Sequence, residues 1–322
     1  MTTISLPAHA YEPDLPGLLD RLGAGDLADA ITVDFSQVSF WTPGALVALL
    51  AKLRKWDSQN KELTFDLTQQ CPAFRYLQRI DFFSICGVRL PEDFHRHDAG
   101  SRFVELRQIG GEGSASVAEL STDIAYCISP DANLDDPEQS GLFDLIEYSV
   151  SELANNVKQH AKATGFTMAQ YTPRTDLVRV GIADHGIGIL RSFAENGSPL
   201  WKPEWTDADA IATALQPKAS SKSHLTSPWG ESVNAGVGLT LLKEICLLTG
   251  GNFFLASGKA ALSQRASDEA PKQMQLATAF QGTVCVLAFV RAKISNFPAI
   301  LHQAKTTVGL LRQGGDFGNL FA

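Results

Sequence analysis

Three short stretches carry residue types able to do chemistry together. The first, "SELANNVKQHA" (151–161), reads as a helix that stacks Glu152, Asn156 and His160 at four-residue intervals along one stripe. That stripe runs along the edge of an apolar face made by Ile146, Val150, Leu153 and Val157. An edge position faces neither full solvent nor core, which suits groups that line a pocket. An amide oxygen there can ligate a hard cation, beside a carboxylate that can orient or deprotonate a nucleophile. His160 fits equally well as a hydrogen-bonding residue near the helix end.

The second stretch is "VRVGIADHGIGIL" (178–190), where Val178, Val180 and Ile182 alternate as a strand and lead into Asp184. A carboxylate at the end of a buried strand can accept a hydrogen bond from an amino group such as the exocyclic amine of adenine. Gly186 and Gly188 let the backbone turn and approach a flat ligand closely. The third stretch, "NAGVGLTLL" (234–242), sets Gly236 and Gly238 at the mouth of a helix, where free N–H groups favour phosphate oxygens. It lacks the third glycine and preceding strand of a dinucleotide fingerprint, and the Gly-Lys-Ser/Thr of a Walker loop. Each stretch alone has an ordinary alternative: a solvated helix flank, an Asp-Gly turn, a plain helix start.

These stretches need elements to position them. Strand signals at 31–40 and 62–67 alternate with helix signals at 42–56 and 71–88, which predicts a small α/β unit. The polar, charged stretch at 92–101 reads as a linker. Helices are expected at 115–128 and 141–161, then a strand pair, "TGFTMAQY" and "DLVRVGIAD". Residues 190–235 read as a long irregular segment with one short helical piece around "DADAIATAL". A helix at 236–251 follows, with strands "GNFFLA" and "GTVCVLAFV" either side of an unassigned region at 258–280. The last thirty residues are expected to add a helix of unclear role.

The order Glu-x-x-x-Asn-x-x-x-His, Asp-x-Gly-x-Gly, long irregular stretch, Gly-x-Gly-Leu-x-Leu resembles the GHKL (Bergerat-fold, histidine-kinase-like) ATP-binding domain over about 104–292. The resemblance implies a mixed sheet covered by helices, with an ATP lid at about 190–235. It implies ATP and Mg²⁺ as ligands: Asn156 on the metal, Glu152 as general base, and His160 in the same helix motif. It further implies Asp184 on the adenine amine, Gly186 and Gly188 along the base pocket, and Gly236 and Gly238 at the phosphates. Thr283, in "GTVCVLAF", matches a threonine on a late strand near adenine. Arg191, Lys218 and Lys222 are three candidate lid contacts to phosphate.

Within that family "SELANNVKQH" is most similar to the anti-sigma-factor serine kinases. No helix bearing His9, His95 or His97 matches the phosphoaccepting hairpin of a sensor kinase, and the segment after 292 is too short for a transducer domain. Residues 1–92 resemble the STAS domain of anti-sigma-factor antagonists. The antagonists' phosphorylatable serine falls at Pro43 and Gly44 here, with Ser39 and Thr42 the nearby hydroxyls. The expected organisation is therefore a two-domain α/β protein: a STAS-like unit (1–92), a linker (93–103), an ATP-binding domain (104–292) and a tail (293–322).

The bulk numbers bound the partners. With 322 residues, a net charge of -8 and no basic run, nucleic acid is not expected as a partner. Five widely spaced cysteines suggest free thiols in a reducing compartment, and no apolar run is long enough for a bilayer, so a cytoplasmic protein with no membrane contact is expected. The functional expectation is a Mg²⁺-dependent serine/threonine kinase acting on a protein partner. An ATPase or an ATP-gated binding module is the alternative, since both use the same residues. Dimers are common in the family, which leaves a homodimer open.

Overall fold

The computed structural model describes residues 1–67, 70–219, 221 and 236–311. The chain is mixed α/β with several sheets. It opens with β1 (Thr2–Ser5), β2 (His9–Ala10), α1 (Leu15–Gly23), β3 (Ala30–Asp34), β4 (Phe40–Trp41), α2 (Pro43–Ser58) and β5 (Glu62–Asp66). Strands β1, β3 and β5 pair in parallel in that order, and β2 and β4 form a separate two-residue parallel pair. Parallel neighbours need crossover connections, which α1 and α2 supply.

Helix α2 is buried almost all round, from Pro43 through Leu53 and again at Trp56. Even Lys52 lies inside, its Nζ 2.7 Å from Asp26 Oδ2, while Trp56 Nε1 donates to Asp26 Oδ1 at 2.9 Å. A helix buried on every side must be covered on two faces. The three-stranded sheet covers one, and the second half of the chain covers the other.

The predicted helix at 71–88 is broken in two, α3 (Phe74–Arg79) and α4 (Phe82–Ile85), because Asp81 adopts a left-handed conformation with φ 63°. The second half then runs β6 (Arg107–Ile109), α5 (Val117–Ile128), α6 (Pro137–Asn156), β7 (Gly165–Thr172), β8 (Leu177–Asp184), α7 (Gly188–Glu195) and α8 (Asp207–Ala214). It continues with α9 (Gly238–Leu248), β9 (Asn252–Arg265), β10 (Lys272–Val290) and α10 (Phe297–Thr307). None of the helices among the described residues is long and apolar enough to cross a membrane. All five cysteines are free thiols.

The main sheet has the order β6-β7-β8-β10-β9, and every pairing in it is antiparallel. The sheet of the second half, expected to be mixed, is thus antiparallel throughout, and parallel pairing is confined to the two N-terminal sheets. The unassigned region at 258–280 continues both flanking strands into one long hairpin, with register shifts between Gln275 and Phe280 and between Phe280 and Thr283. Those irregularities interrupt the alternation that a sequence scan depends on. Helix α7 falls inside the segment expected to be irregular.

Both faces of this sheet are buried. Val178, Val180, Ile182, Leu255, Cys285 and Leu287 join the core shared with α5, α6, α9 and α10. The alternate residues Ala183, Phe254, Ala256, Val284 and Val286 join the core shared with α1 and α2. Continuous apolar runs such as "VCVLAFV" follow from this two-sided burial.

Contact between the two halves is close. The Gly44 Cα abuts the Val286 side chain, and a Cβ on Gly181 would lie 2.8 Å from the Gly44 nitrogen. Thr42, at the start of α2, is fully buried and bonds the Ala10 carbonyl. Arg179 Nε on β8 donates to Glu12 Oε1 at 2.9 Å, both side chains buried. A buried charge left without its partner costs several kcal/mol. Glu12→Gln is therefore expected to lower urea-unfolding stability by about 3 kcal/mol, and joining it with Arg179→Met should recover much of the loss.

Candidate functional site

The α-helical winding of α6 ends at Asn156, so Glu152 and Asn156 lie on consecutive turns of a regular helix. Val157–Ala161 then winds as a π-helical turn that stops at Lys162, left-handed with φ 56°. The single α-helix expected over 151–161 is corrected accordingly, and His160 belongs to the wider turn. Such turns inside helices often accompany functional sites. Here the turn brings the Ala161 carbonyl to the Ile187 amide at 3.0 Å, which ties α6 to the loop after β8.

Asp184 ends β8, paired with Gly165 on one side and Thr283 on the other. Gly186 N donates to its Oδ1 at 2.8 Å. The carboxyl is nonetheless pushed up to about 7, because burial outweighs the hydrogen bonds from Gly186 and Thr283. Gly282, with φ 101°, brings its Cα against the Asp184 carbonyl, a contact with no room for a side chain.

A cleft with a cavity volume of about 110 Å³ opens beside this strand end. Glu152, Asn156, His160, Asp184, Gly188, Gly236, Gly238 and Thr283 all line it. They come from four separate stretches of the chain between positions 152 and 283. Gly186, expected along the base pocket, does not line the cleft. Its Cα packs on the Ala161 backbone, and its amide holds Asp184.

At the other end, Gly238 opens α9 and its Cα lies against the Glu152 carboxylate, so a side chain there would collide with it. Burial raises the Glu152 carboxyl above its ordinary value. Neither the Glu152 nor the Asn156 side chain makes a hydrogen bond among the described residues. Gly236 packs against the backbone of Lys218 and Ala219 in a left-handed conformation, φ 65°. The site thus has an apolar middle, a buried acceptor at one end, and a carboxylate, an amide and a helix N-terminus at the other.

The candidate phosphate contacts fare differently. Arg191 pairs with Glu195 on the exposed side of α7, and Lys218 is exposed; neither lines the cleft. Lys222 lies outside the described residues. Among the described residues no Lys or Arg lines the cleft.

Several lining or supporting residues carried no signal in the sequence. Ser257, buried under the cleft floor, accepts from Ile189 N and donates to the Gly282 carbonyl, each at 2.9 Å. Ser192, Phe193 and Ser221 line the cleft from α7 and from the far end of the candidate lid. Isolated serines are common in any chain, and only the fold gathers these.

The raised Asp184 carboxyl gives a pH test. The folded state holds a proton between about 3.8 and 7 that the unfolded chain releases, so the stability this residue contributes is full below that window and is lost as pH rises through about 7. Asp184→Asn is expected to flatten that loss, on the order of 2–3 kcal/mol between pH 5 and pH 8, in unfolding measured at those two values. A second change, Gly238→Ala, should displace the Glu152 carboxylate and impair any chemistry that depends on it, while the far-UV circular dichroism stays unchanged.

Compared with known proteins, the chain matches no family model and no curated protein.

Proposed function

We propose that the chain is an ATP-binding regulatory protein of the GHKL type that transfers the γ-phosphoryl group to a serine or threonine of a protein partner. One observation carries this reading. Glu152, Asn156, Asp184, Gly236, Gly238 and Thr283, picked from the sequence for nucleotide chemistry, share one cleft.

The residues suit the ligand. Asp184 is an acceptor for an exocyclic amine, and an apolar wall of Ile182, Ile189, Phe193 and Leu255 suits a flat base. The α9 N-terminus, with no side-chain cap at Val237, can offer N–H groups to phosphate oxygens. Asn156 would hold Mg²⁺ through its amide oxygen. Among the described residues no group of three His, Cys, Asp or Glu forms a metal cage, which fits an ion held mainly by water and phosphates. When bound, the ion neutralises charge on the phosphates. Glu152, with its carboxyl raised by burial, accepts the proton of the attacking hydroxyl.

The STAS-like unit is proposed as a fixed cover of the sheet. Thr42 and Gly44, where a phosphoswitch hydroxyl would be sought, are buried against β2 and β10. Thr42 is therefore not available as a phosphoacceptor in the folded chain. The second reading, an ATP-gated binding module with little turnover, uses the same cleft residues.

Glu152→Gln separates the two. Phosphoryl transfer from γ-labelled ATP to a partner in a host lysate is expected to fall at least about 100-fold, with Mg·ATP affinity largely kept. Nucleotide binding without transfer or phosphate release in the unaltered protein would select the gated module.

A further inference from the structure

Ser192, Asn196 and Ser221 play no part in the chemistry above, yet they meet His160 in the cleft wall. Ser221 Oγ lies 3.0 Å from His160 Nδ1 and 3.0 Å from Ser192 Oγ. Asn196 Nδ2 donates to both hydroxyls at 3.3 Å and to the Ser192 carbonyl at 2.7 Å. Ser192 Oγ is farther from the imidazole, at 3.5 Å. Both serines are largely buried, at 4 % and 5 % exposed, and both line the cleft.

A hydroxyl against an imidazole nitrogen, held by a third group, is the arrangement of an activated nucleophile. With its proton on Nε2, His160 accepts at Nδ1, and Asn196 fixes the two oxygens from the other side. Among the described residues three serine or threonine hydroxyls line the cleft: Ser192, Ser221 and Thr283. Thr283 is engaged with Asp184.

We propose that Ser221 is a phosphoacceptor within this chain, taking the γ-phosphoryl group of an ATP bound in the same cleft. The proposal rests on the nucleotide reading above. Ser221 Oγ forms a bond to the γ-phosphorus, and the bond from that phosphorus to the β–γ bridging oxygen breaks. ADP leaves with the electron pair, and the hydroxyl proton passes to His160 Nδ1. The product is a phosphoserine bearing close to two negative charges, facing the imidazolium it has just created. It shares the cleft with the carboxyls of Glu152 and Asp184, so it repels the next triphosphate and the reaction limits itself to one turnover per chain.

The test uses the full chain with Mg²⁺ and γ-labelled ATP, phosphopeptide mapping by mass spectrometry, and thermal stabilisation by Mg²⁺ with a non-hydrolysable ATP analogue on the same preparation. The expected result is stoichiometric label on Ser221, at a rate per chain independent of protein concentration. It should be lost in Ser221→Ala and kept in Ser221→Thr, which restores the hydroxyl. Stabilisation by the analogue with no label on Ser221, or label that persists in Ser221→Ala, would overturn the proposal and leave nucleotide binding standing. No stabilisation by the analogue would overturn both.

Discussion

Burial of the five-stranded sheet on both faces is the constraint from which the remaining features follow. A strand covered on two sides has no polar face to spare, so chemistry is confined to its ends and to the elements lying across them. Asp184 is the last residue of β8, beside Thr283 of β10 and Gly165 of β7, where the pleat stops and the cleft begins. Its neighbours are glycines because backbone crowds in from several directions: Gly282 against its carbonyl, Gly186 against the π turn that carries His160. The acid is held in place by lack of space as much as by its hydrogen bonds.

That placement is costly for folding and useful for binding. Burial raises the carboxyls of both Asp184 and Glu152, so each destabilises the empty fold at neutral pH and each gains from a ligand that supplies a donor or a cation. Stability lost at such positions is made up elsewhere, in the two hydrophobic cores on either side of the sheet. The long hairpin of β9 and β10 links the regions. Asp207, at the start of α8, accepts from Lys259 N, and Thr278 N donates to Asp20 of α1, so one ribbon touches both the candidate lid and the N-terminal helices.

The N-terminal unit is joined to the sheet by more than shape. Glu12 and Arg179 form a buried ion pair across the junction, and the small Gly44 and Gly181 let α2 approach β8 at backbone distance. Charge pairing of this kind adds little net stability over an apolar pair, but it sets which surfaces meet. The start of α2 is an internal contact, with Thr42 fully buried and bonded to the Ala10 carbonyl.

The sequence by itself determined the elements with strong periodicity and the residues with chemical character. Helix α2, the β7–β8 pair, α9, and the set from Glu152 to Thr283 were legible because spacing and residue type are local properties. Tertiary structure decided what depends on distant contacts. The strand path through 258–280 was hidden by bulges, α7 by its setting in a glycine-rich turn, and the break at Asp81 by a backbone angle that residue type does not dictate. Gly186 was recognisable as important but not as a packing residue, since only the Ala161 backbone behind it makes that distinction. Ser192, Ser221 and Ser257 carried no signal at all, because a hydroxyl acquires a role only from the groups that folding brings within hydrogen-bonding distance.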